Sequence, residues 1–180
     1  MSYLRFLSAA FIAVLATAGI AAAQQATPVP DVKPDFSSMK FLMGTWTCKT
    51  LKNSMGRGSG RSETDTTTMS MDGHYMMTSG VSKPFDTART RTLTTQGWVG
   101  WDSAKKQWYS FGISNFGGMG VSTSPGWKGN TMVWTDMWAT DGQPLGVSTV
   151  TKVSATKTTS VNTVKTAKGT ETTNDQCVKS

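Results

Sequence analysis

The sequence predicts an all-β fold, an antiparallel up-and-down barrel of about 8–10 strands with a short N-terminal helix. Three observations lead to this prediction. After Gly44 the chain is rich in Thr and other strand-forming residues, and turn signals recur along it at intervals of about ten residues. No helical periodicity interrupts the runs between these turns. An antiparallel meander of this length removes its exposed edges most economically by closing on itself.

Residues 1–23 are predicted to be a secretory signal peptide. A small-residue and apolar run extends to Ala23 around a single positive charge, Arg5, and ends in three alanines. Cleavage after about Ala23 leaves a periplasmic or secreted protein with no transmembrane segment. A retained membrane anchor is the alternative, but the run is barely long enough to span a bilayer and its alanines are weakly hydrophobic.

Two further segments precede the first strand. Residues 24–34 contain three prolines and little to bury, so we expect a disordered linker before a barrel domain over residues 35–180. Apolar residues then recur at helical spacing over residues 35–43, with Asp35 as a candidate cap. We expect this short helix to plug one end of the barrel.

The remaining chain divides into strand-like runs separated by Gly, Asn and Asp. Asp72-Gly73 lies between two such runs, and this pair is a strong hairpin signal because a type I′ turn requires positive φ at both central residues. The predicted strands cover residues 45–51, 63–71, 74–81, 91–101, 107–114, 131–138, 145–153, 158–166 and 170–178.

Cys48 and Cys177 are the only cysteines and lie in the first and last predicted strands. Two thiols in an oxidising compartment usually pair, and a closed barrel places its first and last strands side by side. We therefore expect a disulfide between them; two unpaired core thiols are the alternative.

Aromatic residues supply the candidate ligand contacts. Strand alternation places Trp134, Asp136 and Trp138 on one face, and Trp101 and Trp108 lie on neighbouring strands. An inward Asp136 must be paired or have a raised pKa, so Arg91 or a ligand cation is its candidate partner. The alternative is that these rings fill the interior, or that this face points outward and Asp136 is solvated.

The opening Phe41-Leu42-x-Gly44-x-Trp46 is similar to the Gly-x-Trp opening of lipocalins, in which the Trp packs across the closed end of the barrel. The stretch from Gly97-Trp98-Val99-Gly100-Trp101 through Gly126-Trp127 resembles an uncharacterised family of bacterial exported lipocalin-like proteins, distantly related to nitrobindins. This resemblance implies structural roles for Gly44 and Trp46.

Nitrobindin-like barrels hold haem through a His on a late strand. The only His here, His74, lies on the third predicted strand and no His follows it, so haem binding is disfavoured and no cofactor is predicted. We expect His74 to be a turn-adjacent, partly exposed residue, and retain it as a candidate ligand contact.

Other chemistry lacks support in the sequence. There is no His, Cys or carboxylate cluster for a metal, and Glu63 and Glu171 lie in Thr-rich stretches typical of solvent faces. The net charge is +7, but the dispersed cations argue against nucleic acid.

The first hypothesis is therefore a non-enzymatic barrel that binds a small apolar or amphipathic molecule in its cavity. The alternative is an envelope interaction or inhibitor protein that contacts an anionic envelope surface, and a barrel-fold enzyme is third. The basic loop residues proposed for the envelope contact are Arg57, Arg61, Lys105 and Lys106.

Overall fold

The computed structural model describes residues 33–56, 58–84, 91–140 and 142–180. The predicted signal peptide, most of the predicted linker and Arg57 lie outside these residues. The strands are β1 (Gly44–Asn53), β2 (Ser62–Ser70), β3 (Tyr75–Ser82), β4 (Leu93–Asp102), β5 (Gln107–Ser114), β6 (Met119–Ser124), β7 (Trp127–Lys128), β8 (Thr131–Ala139), β9 (Gly146–Ser154), β10 (Lys157–Thr166) and β11 (Gly169–Lys179).

The strands form a closed antiparallel barrel. Neighbours in sequence pair with one another from β1 to β6 and from β8 to β11, β1 pairs with β11, and β6 pairs with β8, which gives a ring of ten strands. The two-residue β7 pairs with the start of β8 only. The predicted all-β barrel is thus confirmed, and each of the nine predicted runs corresponds to a strand.

The predicted N-terminal helix is wrong in type. Residues Ser37–Leu42 form a single 3-10 helix, preceded by a hydrogen bond from the Ser37 N–H to Asp35 Oδ1 at 2.8 Å. Phe36, Met39 and Leu42, three residues apart, pack into the hydrophobic cluster of the barrel. A 3-10 helix has three residues per turn, so it places these three side chains on one face, whereas an α-helix would spread them around its axis.

The barrel has two different ends. The closed end, at which β1 begins, is filled by a buried cluster of Met39, Met76, Trp108 and Met132, with further aromatic side chains around it. The open end, at which β1 ends and β2 begins, has mainly polar side chains on its inner wall. Since the side chains of a strand alternate between the two faces of the sheet, each strand contributes to both the interior and the outer surface.

The disulfide joins the first and last strands, as predicted. Cys48 and Cys177 are directly opposite in the register of β1 and β11, with their Cα atoms 3.9 Å apart. On the same inner face of β1, Trp46 is buried and its Nε1–H donates to the carbonyl of Leu42 at 2.8 Å. Trp46 therefore ties β1 to the 3-10 helix at the closed end.

Candidate functional site

The candidate site is a cavity of about 190 Å³ on the inner wall formed by β1, β2, β10 and β11. Every second side chain points inward from Arg61 along β2. The first three of these inward side chains, Arg61, Glu63 and Asp65, are charged. The lining includes Thr50, Arg61, Glu63, Asp65, Ser160, Asp175 and the Cys48–Cys177 disulfide. The interior of this half of the barrel is thus polar and predominantly acidic.

Asp65 has the most perturbed chemistry in this cavity. Burial raises its pKa to about 7, the negative charge of Glu63 adds to the rise, and the guanidinium of Arg61 opposes it. Arg61 is itself engaged by Glu63, with Nη2 and Oε2 2.8 Å apart. Asp65 therefore exchanges its proton near neutral pH and can present either a hydroxyl donor or a carboxylate.

Asp175 is held rigidly on the neighbouring wall. The Thr50 hydroxyl donates to its Oδ1 at 2.7 Å, and the Asn162 amide donates to its Oδ2 at 2.8 Å. These two donors come from β1 and β10, on either side of β11, so they fix the carboxyl group in the plane of the barrel wall. Such an arrangement presents a pre-oriented acceptor to the interior.

Deeper polar contacts hold the same wall together at the open end. The Asn53 amide donates to Glu171 Oε1 and to Thr173 Oγ1, both at 2.7 Å. Glu63 and Glu171 both lie inward, which contradicts their prediction as solvent-face residues. Pairing of Glu63 with Cys48 across β1 and β2 sets its direction, and this pairing is a tertiary property that local composition does not encode.

The wall formed by β4, β5 and β6 is lined by the smallest residues. Gly97, Gly112 and Gly120 face one another in register on the inner surface. A methyl group added at any of the three would meet only a carbonyl oxygen of an adjacent strand, 3.5 to 3.8 Å away. Among the described residues no side chain lies within 4 Å of these methyl positions, so this stretch of the inner wall is free of close side-chain contacts.

Three of the predicted ligand contacts belong to the filled end. Trp108 is buried, and its ring centroid lies 5.1 Å from that of Phe36 and 5.1 Å from that of Trp101. Trp134 is partly buried against the same cluster. These tryptophans contact one another and the 3-10 helix, and so serve the core of the closed end.

Asp136 faces inward, which decides between the two alternatives left open by the sequence, but its partner is not Arg91. It accepts hydrogen bonds from the Ser122 hydroxyl at 2.7 Å and from the Gly146 N–H at 3.0 Å. The guanidinium of Arg91 instead lies 4.2 Å from the centroid of the Phe116 ring.

The predicted shared face of Trp134, Asp136 and Trp138 is wrong for Trp138. Asp136 pairs with inward Ser122, whereas Trp138 pairs with outward Val121, because an irregularity in the β6–β8 register absorbs one residue between them. Trp138 is accordingly 48% exposed. A bulge of this kind depends on the partner strand, and alternation within β8 alone cannot reveal it.

The remaining predicted residues do not form one surface. His74 follows the turn at residues Met71–Gly73 and is partly exposed, as expected. Of the basic loop residues, Arg61 turns into the barrel at the open end, while Lys105 and Lys106 lie in the β4–β5 turn at the closed end. The described basic residues therefore lie at different ends of the barrel, and their contact with an envelope surface stays a prediction.

A larger concavity of about 590 Å³ lies on the outer face of β2 and β3. Its walls are mostly outward Ser, Thr and Val side chains, with Lys83 as the one charged residue among those that line it. It lacks the convergent acceptors of the interior cavity, which we therefore consider the better candidate for a binding site.

Over the described ranges, no group of three or more His, Cys, Asp or Glu residues is arranged to hold a metal ion. In the same part of the chain, no helix has the length and apolar character needed to cross a membrane. A scan against protein-family models matched no family, and a search of curated proteins found no relative.

Proposed function

We propose that this protein is an exported, lipocalin-like binding barrel that holds a small amphipathic molecule in its interior without transforming it. The observation that carries the proposal is the asymmetry of the interior. One wall presents the acceptors Asp65 and Asp175 at a cavity, and on β4, β5 and β6 the inward residues Gly97, Gly112 and Gly120 have no side chain within 4 Å of their Cβ positions. Such a combination of free space with a few oriented polar groups is typical of ligand sites.

We call the cavity lining that carries Asp65 and Asp175 the acidic wall, and the wall of Gly97, Gly112 and Gly120 the glycine wall. The chemistry of the acidic wall favours a ligand whose polar group is basic or carries hydroxyls. A carboxylate only accepts hydrogen bonds, so Asp175 selects donors such as an ammonium or a hydroxyl. Asp65, with a pKa of about 7, can be ionised by an approaching cation at little cost. Of the apolar or amphipathic ligands expected from the sequence, the proposal therefore keeps the amphipathic ones.

The size of the cavity limits what the acidic wall can hold. Its volume of about 190 Å³ is below the roughly 300–1,000 Å³ of pockets that enclose drug-sized ligands. The acidic wall therefore takes the polar group of the ligand, and the remainder lies against the glycine wall.

Two features support the lipocalin-like relationship and export. Trp46 of the Gly44-x-Trp46 opening lies buried at the closed end, where the resemblance places it. The Cys48–Cys177 disulfide is typical of proteins in oxidising compartments.

Binding is tested by titrating the purified protein with octylamine, octanol and octanoate while intrinsic tryptophan fluorescence and the thermal midpoint are recorded. These probes share a chain length and differ in the charge of the polar group. We expect octylamine to bind at least tenfold more tightly than octanoate, since only the amine complements the carboxylates. Native mass spectrometry of protein purified from its own host then identifies any retained molecule.

A substitution that fills the interior provides the structural control. Gly97→Leu places a large side chain in the open space and should abolish octylamine binding, whereas Gln96→Leu, on the outer face of the same strand, should not. Far-UV circular dichroism verifies that both variants keep the fold. Equal binding by the two variants, or no saturable binding of any probe by the native protein, would contradict the proposal.

A further inference from the structure

The outer surface of the open end carries an exposed apolar patch. We call it the rim patch, and its members are each between 36% and 59% exposed: Phe116, Met119, Met137, Trp138 and Leu145. They belong to β6, β8 and the connections that precede β6 and β9. Exposed apolar side chains that cluster in this way mark surfaces that contact another molecule or a membrane.

The register makes the rim patch continuous with the barrel wall. The Thr140 N–H donates to the carbonyl of Met119 at 2.9 Å, which brings β6 and the end of β8 together. Trp138 continues an outward row through Val121 and Phe111 to Trp98. The rings of Trp98 and Phe111 are stacked with their centroids 5.9 Å apart. The apolar surface thus extends across four adjacent strands.

Charge is segregated at the open end of the barrel, where one cation, Arg91, contacts the rim patch. Among the described acidic residues, Glu63, Asp65, Asp136, Glu171 and Asp175 point into the barrel, and Asp35, Asp72 and Asp102 lie at the closed end. The exposed cations at the open end are Lys52, Lys83, Arg91 and Lys168. The outer surface of the described open end therefore has positive side chains without outward acidic partners.

We propose that the open end of the barrel docks on an anionic lipid bilayer through the rim patch. Tryptophan and phenylalanine side chains partition into the interfacial region of a membrane, and lysine and arginine beside them are attracted to anionic headgroups. The Arg91 guanidinium lies 4.2 Å from the centroid of the Phe116 ring. A headgroup-binding cation and an apolar ring therefore lie side by side at the rim. This inference stands on the outer surface and does not depend on a ligand in the interior.

The charge pattern favours a bilayer over a second copy of the chain. Symmetric contact between two rim patches would bring the cations of both copies together, and like charges placed across an interface oppose association. An anionic bilayer instead neutralises them.

The test is cosedimentation of the purified protein with vesicles of phosphatidylcholine alone or of phosphatidylcholine and phosphatidylglycerol in equal parts. We expect at least tenfold tighter binding to the anionic vesicles, weakened by high salt because screening shortens the range of the attraction. A blue shift of tryptophan emission should accompany binding. All variants are produced and processed in the same way, so any contribution of residues 1–32 is common to every comparison.

Matched variants distinguish binding through the rim patch from nonspecific hydrophobic adsorption to vesicles. Phe116→Ser with Trp138→Ser should weaken binding to the anionic vesicles at least tenfold, whereas Met71→Ser with Val153→Ser, which removes equally exposed side chains at the closed end, should leave it unchanged. Lys83→Gln with Arg91→Gln should weaken it by about fivefold per charge, and Lys105→Gln with Lys106→Gln should not.

Three results would overturn the proposal. They are equal binding of the native protein to both vesicles, equal losses in the rim and closed-end variants, and a dimer in sedimentation velocity that only the rim variants lose without any vesicle binding. Urea unfolding midpoints confirm that each variant is folded. Octylamine binding by the same variants is scored separately, so failure of membrane docking is distinguishable from failure of the interior site.

Discussion

Asp65 Oδ2 lies 3.3 Å from Sγ of Cys48 on the inner wall of the barrel. A disulfide sulfur carries no proton, so a hydrogen bond between these atoms requires the protonated carboxyl group as donor. The contact therefore agrees with the raised pKa of Asp65, whose first cause is burial. It connects the disulfide between β1 and β11 with the titrating carboxyl group of the candidate site.

The first prediction concerns the dependence of stability on pH. The pKa of Asp65 is about 7 in the folded protein and 3.8 in its ordinary state, so the folded state binds this proton more tightly. The resulting stabilisation is fully present below about pH 4 and is lost as the pH rises through 7. We expect a loss on the order of 2 kcal/mol, less than the full shift implies because the carboxyl retains some solvent contact.

Asp65→Asn provides the comparison for this prediction. The amide can still donate but does not titrate, so the difference in the free energy of unfolding between variant and native protein should change in favour of the variant from pH 5 to pH 8. Urea unfolding at each pH measures it. Because the difference is taken, contributions common to both proteins cancel. A difference independent of pH would show that Asp65 titrates normally.

The second prediction concerns the disulfide. Cys48→Ala with Cys177→Ala should lower the free energy of unfolding by about 4–5 kcal/mol, because the bond closes a long loop across 129 residues of sequence separation. Thr47→Ala with Val178→Ala, the next pair in the same register, is the matched control and should cost below about 1 kcal/mol. Urea titrations of both double variants distinguish the loss of the disulfide from a general weakening of the pairing between β1 and β11.

The third prediction concerns the 3-10 helix at the closed end. Met39 is 1% exposed and packs against Met76, Trp108 and Met132. Met39→Ala should therefore lower the free energy of unfolding by about 2–5 kcal/mol through loss of burial and the cavity that remains. Met71→Ala, at an exposed turn position, should change it by less than about 0.5 kcal/mol. Similar effects in both variants would mean that the 3-10 helix is not part of the cooperative core.

The fourth prediction compares two inward glycines. A methyl group at Gly80 would lie 2.5 Å from Glu63 Oε1 and 2.6 Å from Asp65 Oδ1, while one at Gly112 has open space in front of it. Gly80→Ala should cost about 1–3 kcal/mol because it displaces the acidic wall, and Gly112→Ala should be neutral or stabilising by about 0.5 kcal/mol. Thermal and urea unfolding measure both, and a large cost at Gly112 would show that the interior is filled there.

Several features of this fold followed from local pattern. The strand from Gln107 to Ser114 has the predicted bounds, and the predicted turn residues Asp72 and Gly73 both have positive φ. β6, which closes the ring, was not predicted as a strand. Its inward side chains are small, so its inner face lacks the apolar residues by which a strand is usually recognised. The inward residues of β6 are Gly120, Ser122 and Ser124.

The candidate site was less predictable than the fold. The tryptophans drew attention as ligand contacts, but Trp101 and Trp108 pack in the core of the closed end. The acidic wall carried one available signal, the alternation of Arg61, Glu63 and Asp65 along one strand face. That signal could not say whether the charged face was inside or outside, because a Thr-rich strand offers no apolar face for comparison.

By itself the sequence determined where nine of the strands run and which cysteines pair, since turn residues and β-propensity act locally and two thiols leave one possible pairing. Only the tertiary structure decided that Glu63 and Asp65 face inward and that a bulge turns Trp138 outward. The physical reason is register. Which face a side chain occupies depends on the strand it pairs with, and a shift of one residue reverses it.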